Sequence, residues 1–463
     1  MTSRISREVF FYTGTTLNIN PSSRRRDLVS KENSSYQQIQ DQEDRSKGLS
    51  KWALLVLGLQ HAFTMFGATV LVPYLTGVPV NVALFTAGIG TLIFHLLTKW
   101  KVPIFLGSSF AYIAPINAVI LYHANVSDKF QSVPEAMAAG VSITPEMIAY
   151  ATGGIMIAGL VQVGIAILIK FIGVEKFEKL FPPTVAGTII AVIGLNLAPV
   201  AIDMASSNWW IALVALGTAV VVRLYMKGFT RLIPVMCGII VGYIVAAVTG
   251  NVSFAAVSEA GWIGVPGFVL PKFSLYALSV LVPVALAPTI EHFGDIFAVS
   301  AIAGKKYFED PGVHRTLAGD GIATAVAGLL GGPANTTYSE NTGVLAITKV
   351  FNPVVMRIAA VFAIILSFVP KVGVLIQSIP TSVMGGIEIL LFGMISAVGM
   401  RTLIENRVKV DGKNLTIIAV MLVIGIGGAS IGIGNVKFQG IGLAALVGLI
   451  LNAIFMLTKA PEE

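Results

Sequence analysis

The sequence predicts an all-α polytopic membrane protein, with fourteen transmembrane segments arranged as two inverted seven-span repeats. Three observations predict this fold class: the composition, the recurrence of apolar segments and the distribution of basic residues. Of the 463 residues, 55% are hydrophobic and only 12% are charged, whereas soluble domains carry about 25% charged residues. A soluble core cannot bury this apolar excess, so the predicted solvent is a bilayer.

Apolar segments close to the ~20 residues that cross a bilayer recur from Trp52 onward. Two of them, 103–121 and 336–348, carry small and polar residues at their starts and are predicted to be broken spans with short extended stretches. The fourteen predicted spans lie near 52–72, 79–98, 103–121, 146–169, 185–203, 209–225, 231–250, 274–301, 312–331, 336–348, 354–369, 381–399, 415–432 and 438–457.

The two broken spans are each the third of a set of seven. Because seven is odd, the second set runs through the membrane with the opposite polarity, as in carriers whose discontinuous helices meet near the midplane. The predicted domains are therefore a first repeat over 51–250 and a second repeat over 251–459.

The basic residues predict the orientation. If the N-terminus lies inside and the spans alternate, eighteen of the 31 Lys and Arg residues fall on the cytoplasmic side and four fall outside. The other nine lie in the tail before the spans. This distribution follows the positive-inside rule and predicts a cell-membrane protein with both termini in the cytoplasm.

Residues 1–50 are polar and mixed in charge, and we expect a disordered cytoplasmic tail without a signal peptide. Contact of Arg24–Arg26 with anionic lipid is the alternative to an inert tail. Cys237 is the only cysteine, which excludes a disulfide framework and a cysteine metal site. The net charge of +7 is scattered over segment ends, so no nucleic-acid partner is expected.

Charged side chains inside spans are costly and are therefore candidates for function. Five carboxylates qualify, with no Lys or Arg at comparable depth: Glu291, Asp295, Asp320, Glu340 and Glu388. Glu291 and Asp295 are four residues apart and share one helix face. Two such groups without a cation hold at least one proton between them at neutral pH, which predicts proton coupling. A hydrogen bond to a neighbouring helix is the alternative.

Glu340 follows the break in the tenth span, beside Asn341, where free backbone N–H groups are expected. The acid can accept ring N–H bonds while the backbone donates to ring carbonyls, which suits a planar lactam-type nucleobase. The alternative is a helix N-cap by either residue.

The remaining polar residues of the spans receive supporting roles. Asp320 is predicted to orient the eighth-span carboxylates or to satisfy the broken backbone of the tenth span, and Glu388 to reach water near a span end. His61, beside Gln60, and His292 either relay protons or are hydrogen-bonded structural histidines.

The run Glu340-Asn341-Thr342-Gly343 through Thr348-Lys349 resembles the signature of the nucleobase-ascorbate transporter family. Gln60-His61 resembles the first-span motif of that family. The segments 107–111 (Gly-Ser-Ser-Phe-Ala) and 335–338 (Asn-Thr-Thr-Tyr) resemble its uracil-transporting branch. The similarity extends from about Trp52 to the C-terminus.

This resemblance implies a core domain of spans 1–4 and 8–11 and a gate domain of spans 5–7 and 12–14. Uracil would be held by the carboxylates, by backbone near Phe110 and Ser339 and by packing against Phe110, with proton influx as the driving force. The expected substrate-binding residues are Glu291, Glu340, Phe110, Ser339, Ser109 and Tyr338. The expected proton-coupling residues are Glu291, Asp295, His61 and Glu340, supported by Asp320, Asn341 and Gln60.

The chain departs from the uracil-transporting pattern at three positions. Asp295 stands where that branch has His, Asp320 resembles purine-transporting relatives, and Ser339 stands where Gly usually precedes the tenth-span acid. Uracil and xanthine therefore both remain candidate substrates.

The predicted function is nucleobase import by proton symport, through alternating access of core against gate, without cofactor or metal and with the proton rather than sodium as coupling ion. An inorganic-anion carrier fits less well, because Glu340 places negative charge at a helix N-terminus. An intramembrane enzyme lacks support, since no His-Glu-x-x-His zinc motif is present. The expected partners are the nucleobase and membrane lipid, and the gate spans either face lipid or bury a homodimer interface.

Overall fold

The computed structural model describes residues 48–458 apart from 175–178, 180, 434 and 435. These residues are mostly helical. In chain order the α-helices are α1 Lys51–Thr76, α2 Val80–Leu97, α3 Ile113–His123, α4 Val133–Ala138, α5 Pro145–Ile172, α6 Pro183–Ser206, α7 Trp209–Tyr225, α8 Pro234–Val248, α9 Ala255–Glu259, α10 Leu275–Leu281, α11 Leu286–Ala303, α12 Val313–Leu329, α13 Ser339–Thr348, α14 Val354–Ser367, α15 Pro370–Gln377, α16 Thr381–Glu405, α17 Gly412–Ile426 and α18 Gly440–Thr458. The strands are β1 Leu106–Ser108, β2 Asn335–Thr337, β3 Ser430–Ile433 and β4 Val436–Gln439.

Seven stretches of helix in this part of the chain are long and apolar enough to cross a membrane, or eight if the bent pair α14 and α15 forms one span. All fourteen predicted segments contain helix. The chain is thus a helical multi-pass membrane protein, as predicted. The count of fourteen crossings stays a prediction. The tail is outside the described residues as far as residue 47, and so is Lys459.

The extended stretches expected in the two broken segments are present. Strands β1 and β2 pair antiparallel with Gly107 opposite Thr336, and the pairing continues on both sides of the ladder. The Ser109 N–H donates to Ala334 O at 2.8 Å, and the Tyr338 N–H donates to Phe105 O at 3.0 Å. Backbone groups that leave helical geometry are therefore satisfied by one another inside the protein, as a bilayer requires.

The thirteenth segment ends earlier than predicted. The prediction extended it to residue 432, whereas α17 ends at Ile426 and a β3–β4 hairpin follows. Gly427 is the C-cap of α17, and Gly428 adopts φ +63°, a left-handed conformation that glycine accepts and that commonly ends a helix. The residues that follow are apolar as well, so hydropathy alone does not show that the helix ends at this point.

Small residues set the distance between the longest helices. Helices α5 and α12 meet through Gly159 and Gly321, and a β-carbon on Gly159 would lie 2.6 Å from Gly321 O. Such close approach of backbones is typical of membrane helices, which gain stability from packing rather than from the exclusion of water.

We expect Gly159→Ala to lower the melting temperature of the purified protein, because the new methyl group forces α5 and α12 apart. Overpacking of this kind costs roughly 1–3 kcal/mol. Gly164→Ala on the same helix is the matched control, since a β-carbon there meets open space. Equal melting temperatures for the two variants, measured in the same detergent, contradict the proposed packing.

Candidate functional site

Two helix starts lie at opposite ends of the short β1–β2 pair, because the strands are antiparallel and each helix follows the end of its own strand. After β1 the chain makes a short 3-10 turn at Phe110–Tyr112 before α3, and after β2 Tyr338 leads directly into α13. No side chain caps either start. The first N–H groups of a helix lack partners within it, so a set of donors is present at each end of the β1–β2 pair.

Four of the predicted substrate-binding residues are accessible at these helix starts and on the neighbouring helix α11. Phe110, Glu340 and Glu291 are half-buried, and Ser339 is exposed. Glu291 is within electrostatic range of both Asp295 and Glu340. Glu291 and Glu340, which the sequence places in different spans, therefore lie near each other, and Glu340 is in the first turn of α13.

Tyr338 and Ser109, the other two predicted substrate-binding residues, are buried. Tyr338 is 2% exposed; its hydroxyl donates to Ser108 O at 3.0 Å, and a β-carbon on Gly107 would lie 2.8 Å from its oxygen. Ser109 is also buried, and its hydroxyl has no partner among the described residues. The structure gives Tyr338 the role of joining the two broken segments.

Asp295 is held by β2. It is buried one turn beyond Glu291 on α11, and the Thr337 hydroxyl donates to its Oδ2 at 2.5 Å. Thr337 is not among the residues that the sequence predicts for the site. Strand alternation directs residues 335 and 337 to one face of β2, but it does not indicate which helix lies against that face.

His61 and Asn341 form a buried pair between α1 and α13. The Asn341 amide donates to His61 O at 3.1 Å and lies 3.2 Å from His61 Nδ1. Since α13 begins without a side-chain cap, the alternative that Glu340 or Asn341 is an N-cap is wrong. Gln60, next to His61, is half-buried on α1.

Asp320 contacts a histidine rather than the broken backbone. Its Oδ2 lies 3.2 Å from His292 Nδ1, and the other ring nitrogen of His292 lies 2.9 Å from Thr316 Oγ1. The backbone of β2 is satisfied instead by Thr324, whose hydroxyl donates to Asn335 O at 2.9 Å. Of the two predicted roles of Asp320, the one at the broken tenth span is therefore wrong.

The expectation that Glu388 reaches water is also wrong. Its side chain is 0% exposed on α16, and neither carboxylate oxygen has a hydrogen-bond partner among the described residues. Gly385 and Gly386, which precede it, are packed against the backbone of α6 and α7. Because these glycines let α6 and α7 approach α16 closely, Glu388 is shielded from water. The distance of Glu388 from the end of its span in sequence does not indicate this packing.

Comparison with known proteins gives consistent matches. A model of the Permease family matches residues 52–432. "Probable uracil permease" of Pasteurella multocida is 45% identical over 413 residues, covering 87% of this chain and 94% of that protein. "Uracil permease" of Bacillus subtilis is 42% identical over 428 residues, covering 88% and 92%.

Solved structures support the fold. The murine Solute Carrier 26 family member A9 anion transporter, in its inward-facing state, aligns with a TM-score of 0.66 over 97% of this chain and 74% of that chain, at 13% identity. The transmembrane domain of the cyanobacterial bicarbonate transporter BicA aligns with a TM-score of 0.57 over 86% and 96%, at 17% identity.

Proposed function

The chain belongs to the Permease family of nucleobase-ascorbate transporters, which are not enzymes, and on that premise we propose that it imports a nucleobase by proton symport. Uracil is the first candidate substrate. The observation that carries the proposal is the proximity of Glu291 to Glu340, both half-buried, at the uncapped start of α13. The relatives named uracil permease support the choice of substrate.

In this proposal the nucleobase lies between the two carboxylates and the helix starts. The carboxylate of Glu340 accepts ring N–H bonds, and the N–H groups near Phe110 and Ser339 donate to ring carbonyls. The Phe110 ring packs against the flat face of the base. It also packs edge-on against Phe392 of α16, with ring centroids 6.3 Å apart, so the substrate lies where the proposed core and gate domains meet.

The proposed proton coupling rests on carboxylates that form no ion pair with a basic side chain. In the described part of the chain, no Lys or Arg forms an ion pair with Glu291, Asp295 or Glu340. Two neighbouring carboxylates in such a place share a proton. Protonation then neutralises the site for passage and lowers the desolvation cost. His61 and Asp320 support the site through Asn341 and His292.

We further propose that transport proceeds by alternating access of a core domain, spans 1–4 and 8–11, against a gate domain, spans 5–7 and 12–14. These come from inverted repeats over 51–250 and 251–459, with fourteen crossings and both termini in the cytoplasm of a cell-membrane protein. The gate helices supply either a homodimer interface or a lipid-facing surface. No cofactor takes part.

Xanthine is the second candidate substrate. Asp295 and Asp320 are the residues that favour it, because both resemble purine-transporting relatives. The two solved neighbours are an anion transporter and a bicarbonate transporter. An inorganic anion is disfavoured here because Glu340 lies in the first turn of α13. Negative charge at a helix N-terminus repels a second anion.

The proposal is tested by uptake of labelled uracil into proteoliposomes with an imposed pH gradient, acidic outside. We expect uptake that an uncoupler abolishes and that needs no sodium, and competition by unlabelled xanthine ranks the two substrates. Uptake that survives the uncoupler and requires sodium contradicts proton symport. Absence of uptake for both bases contradicts the substrate assignment.

The contact between Thr337 and Asp295 provides a narrower test. Thr337→Val removes a hydrogen bond to a buried carboxyl, and bonds to charged groups contribute roughly 1.5–3 kcal/mol. We therefore expect proton-driven uptake to fall by about tenfold or more. Thr337→Ser, which keeps the hydroxyl, is expected to retain most uptake; equal losses in the two variants contradict a role for the hydroxyl.

A further inference from the structure

The buried carboxyl of Glu388 lies outside the proposed substrate site but close to it. Met384 and Phe392, one turn before and one turn after Glu388 on α16, belong to a buried apolar cluster that also includes Val70 and Leu71 of α1. Residues four apart share one face of a helix. Glu388 is therefore on the face of α16 that contacts Phe110 through Phe392.

Helix α1 lies beside the start of α16 and shares this apolar cluster with it. The Tyr74 hydroxyl of α1 donates to Ile379 O, just before α16, at 2.9 Å, and Tyr74 is within electrostatic range of Glu388. In the proposed division into domains, α1 belongs to the core and α16 to the gate. Glu388 thus lies in the interface between the proposed core and gate domains, near the contact that Tyr74 makes.

Among the residues that the structure describes, none compensates a negative charge on Glu388. The titratable groups on the helices packed around it are Lys51, His61, Tyr74, Asp203, Arg223, Tyr225, Cys237 and Tyr243. Lys51 is exposed, and His61 faces Asn341 of α13. Asp203, Arg223 and Tyr225 are exposed, and the Tyr243 hydroxyl lies 2.7 Å from Ser378 Oγ. In the described part of the chain no cation interacts with Glu388. Burying a carboxylate that has neither a cation nor a hydrogen-bond donor beside it costs a large desolvation free energy. The closed interface therefore favours the protonated, neutral form of Glu388.

We propose that Glu388 is a second proton-binding site of the transport cycle: α1 closes against α16 only when this carboxyl is protonated, and the proton is released to water when the interface opens. The inference rests on the proposed function, because alternating access supplies the opening. It adds a carboxyl on the gate to the proton-binding residues of the core. It also fixes how the equilibrium between closed and open interface depends on pH. The closed state holds one proton more than the open state, so a rise in pH favours opening.

The consequence is an interface that opens as pH rises. An equilibrium that releases one proton changes by up to about tenfold for each pH unit. Opening can be measured without substrate, by the rate at which a water-soluble thiol reagent labels a cysteine placed at Met384, which is 0% exposed in the closed interface. The native Cys237 is first replaced by alanine, and Val383→Cys, also at 0% exposure, provides a second reporter position.

Three variants make the measurement specific. Ile404→Cys, at a position on α16 that is 75% exposed, gives the intrinsic pH dependence of the thiol reaction, by which the other rates are divided. Glu388→Gln in the reporter protein keeps the size of the side chain but cannot ionise. Glu405→Gln is the matched control, because Glu405 is exposed on the same helix and pairs with Arg401.

We expect corrected labelling to rise with pH in the reporter protein and in its Glu405→Gln derivative, and to stay low at every pH in the Glu388→Gln derivative. Labelling that is independent of pH in the reporter, or that rises equally with glutamine at 388, overturns the inference. Failure of the proposed function is distinguishable, since it appears as absent uracil accumulation by the unmodified protein whatever the labelling shows.

Discussion

Replacing Glu340 with alanine is expected to weaken uracil binding by roughly 10- to 100-fold. In the proposed site the carboxylate accepts hydrogen bonds from the ring N–H groups. A hydrogen bond to a charged group contributes roughly 1.5–3 kcal/mol, and each 1.4 kcal/mol is about tenfold in affinity. Equilibrium binding of labelled uracil to the purified protein measures the change. Glu340→Gln, which keeps one acceptor oxygen, is expected to have an intermediate affinity.

The control for this experiment is Glu405→Gln, which removes an exposed carboxylate from α16. It is expected to bind uracil like the unmodified protein. Unchanged affinity in Glu340→Ala, with folding confirmed by the melting temperature, contradicts the placement of the base at the start of α13.

Replacing Glu291 with glutamine is expected to abolish accumulation driven by a pH gradient. At one proton per nucleobase, a gradient of one pH unit supports about tenfold accumulation. Glutamine resembles the protonated acid in shape and cannot release a proton, so we expect the internal and external concentrations of uracil to become equal. Counterflow, the exchange of labelled for unlabelled uracil across the membrane, requires no net proton movement and is expected to persist at a reduced rate.

The combination of lost accumulation and retained counterflow is what distinguishes a coupling residue from a purely structural one. A Glu291→Gln protein that still accumulates uracil tenfold excludes Glu291 as the coupling group. A protein that loses both activities but still binds uracil assigns Glu291 to the conformational change instead.

The sequence predicted the features that composition and spacing control. The broken segments were identified because Gly107 and Asn335–Thr337 interrupt apolar runs at corresponding positions, and strands β1 and β2 occur there. Glu291 and Asp295 were paired because a four-residue spacing places side chains on one helix face. Such features depend on neighbours in the chain and can therefore be deduced from sequence alone.

Contacts between distant elements could not be predicted. Nothing in the spacing indicates that Thr337 donates to Asp295 or that Asp320 faces His292, since each pair joins elements whose relative rotation depends on helix packing. Glu388 shows the same limit: its burial results from glycines on α16 that admit the backbone of α6 and α7. The carboxylates can be identified from sequence because a charge inside a bilayer is costly. The residues that contact them can be identified only from the three-dimensional structure.

The most direct test of the proposed function is the pH inside proteoliposomes after uracil is added outside, with no gradient imposed. Uracil that enters with a proton acidifies the interior, and we expect this acidification to vanish with an uncoupler and in Glu291→Gln. Entry of labelled uracil without any change of internal pH, or entry only when sodium is present, contradicts proton symport at these carboxylates.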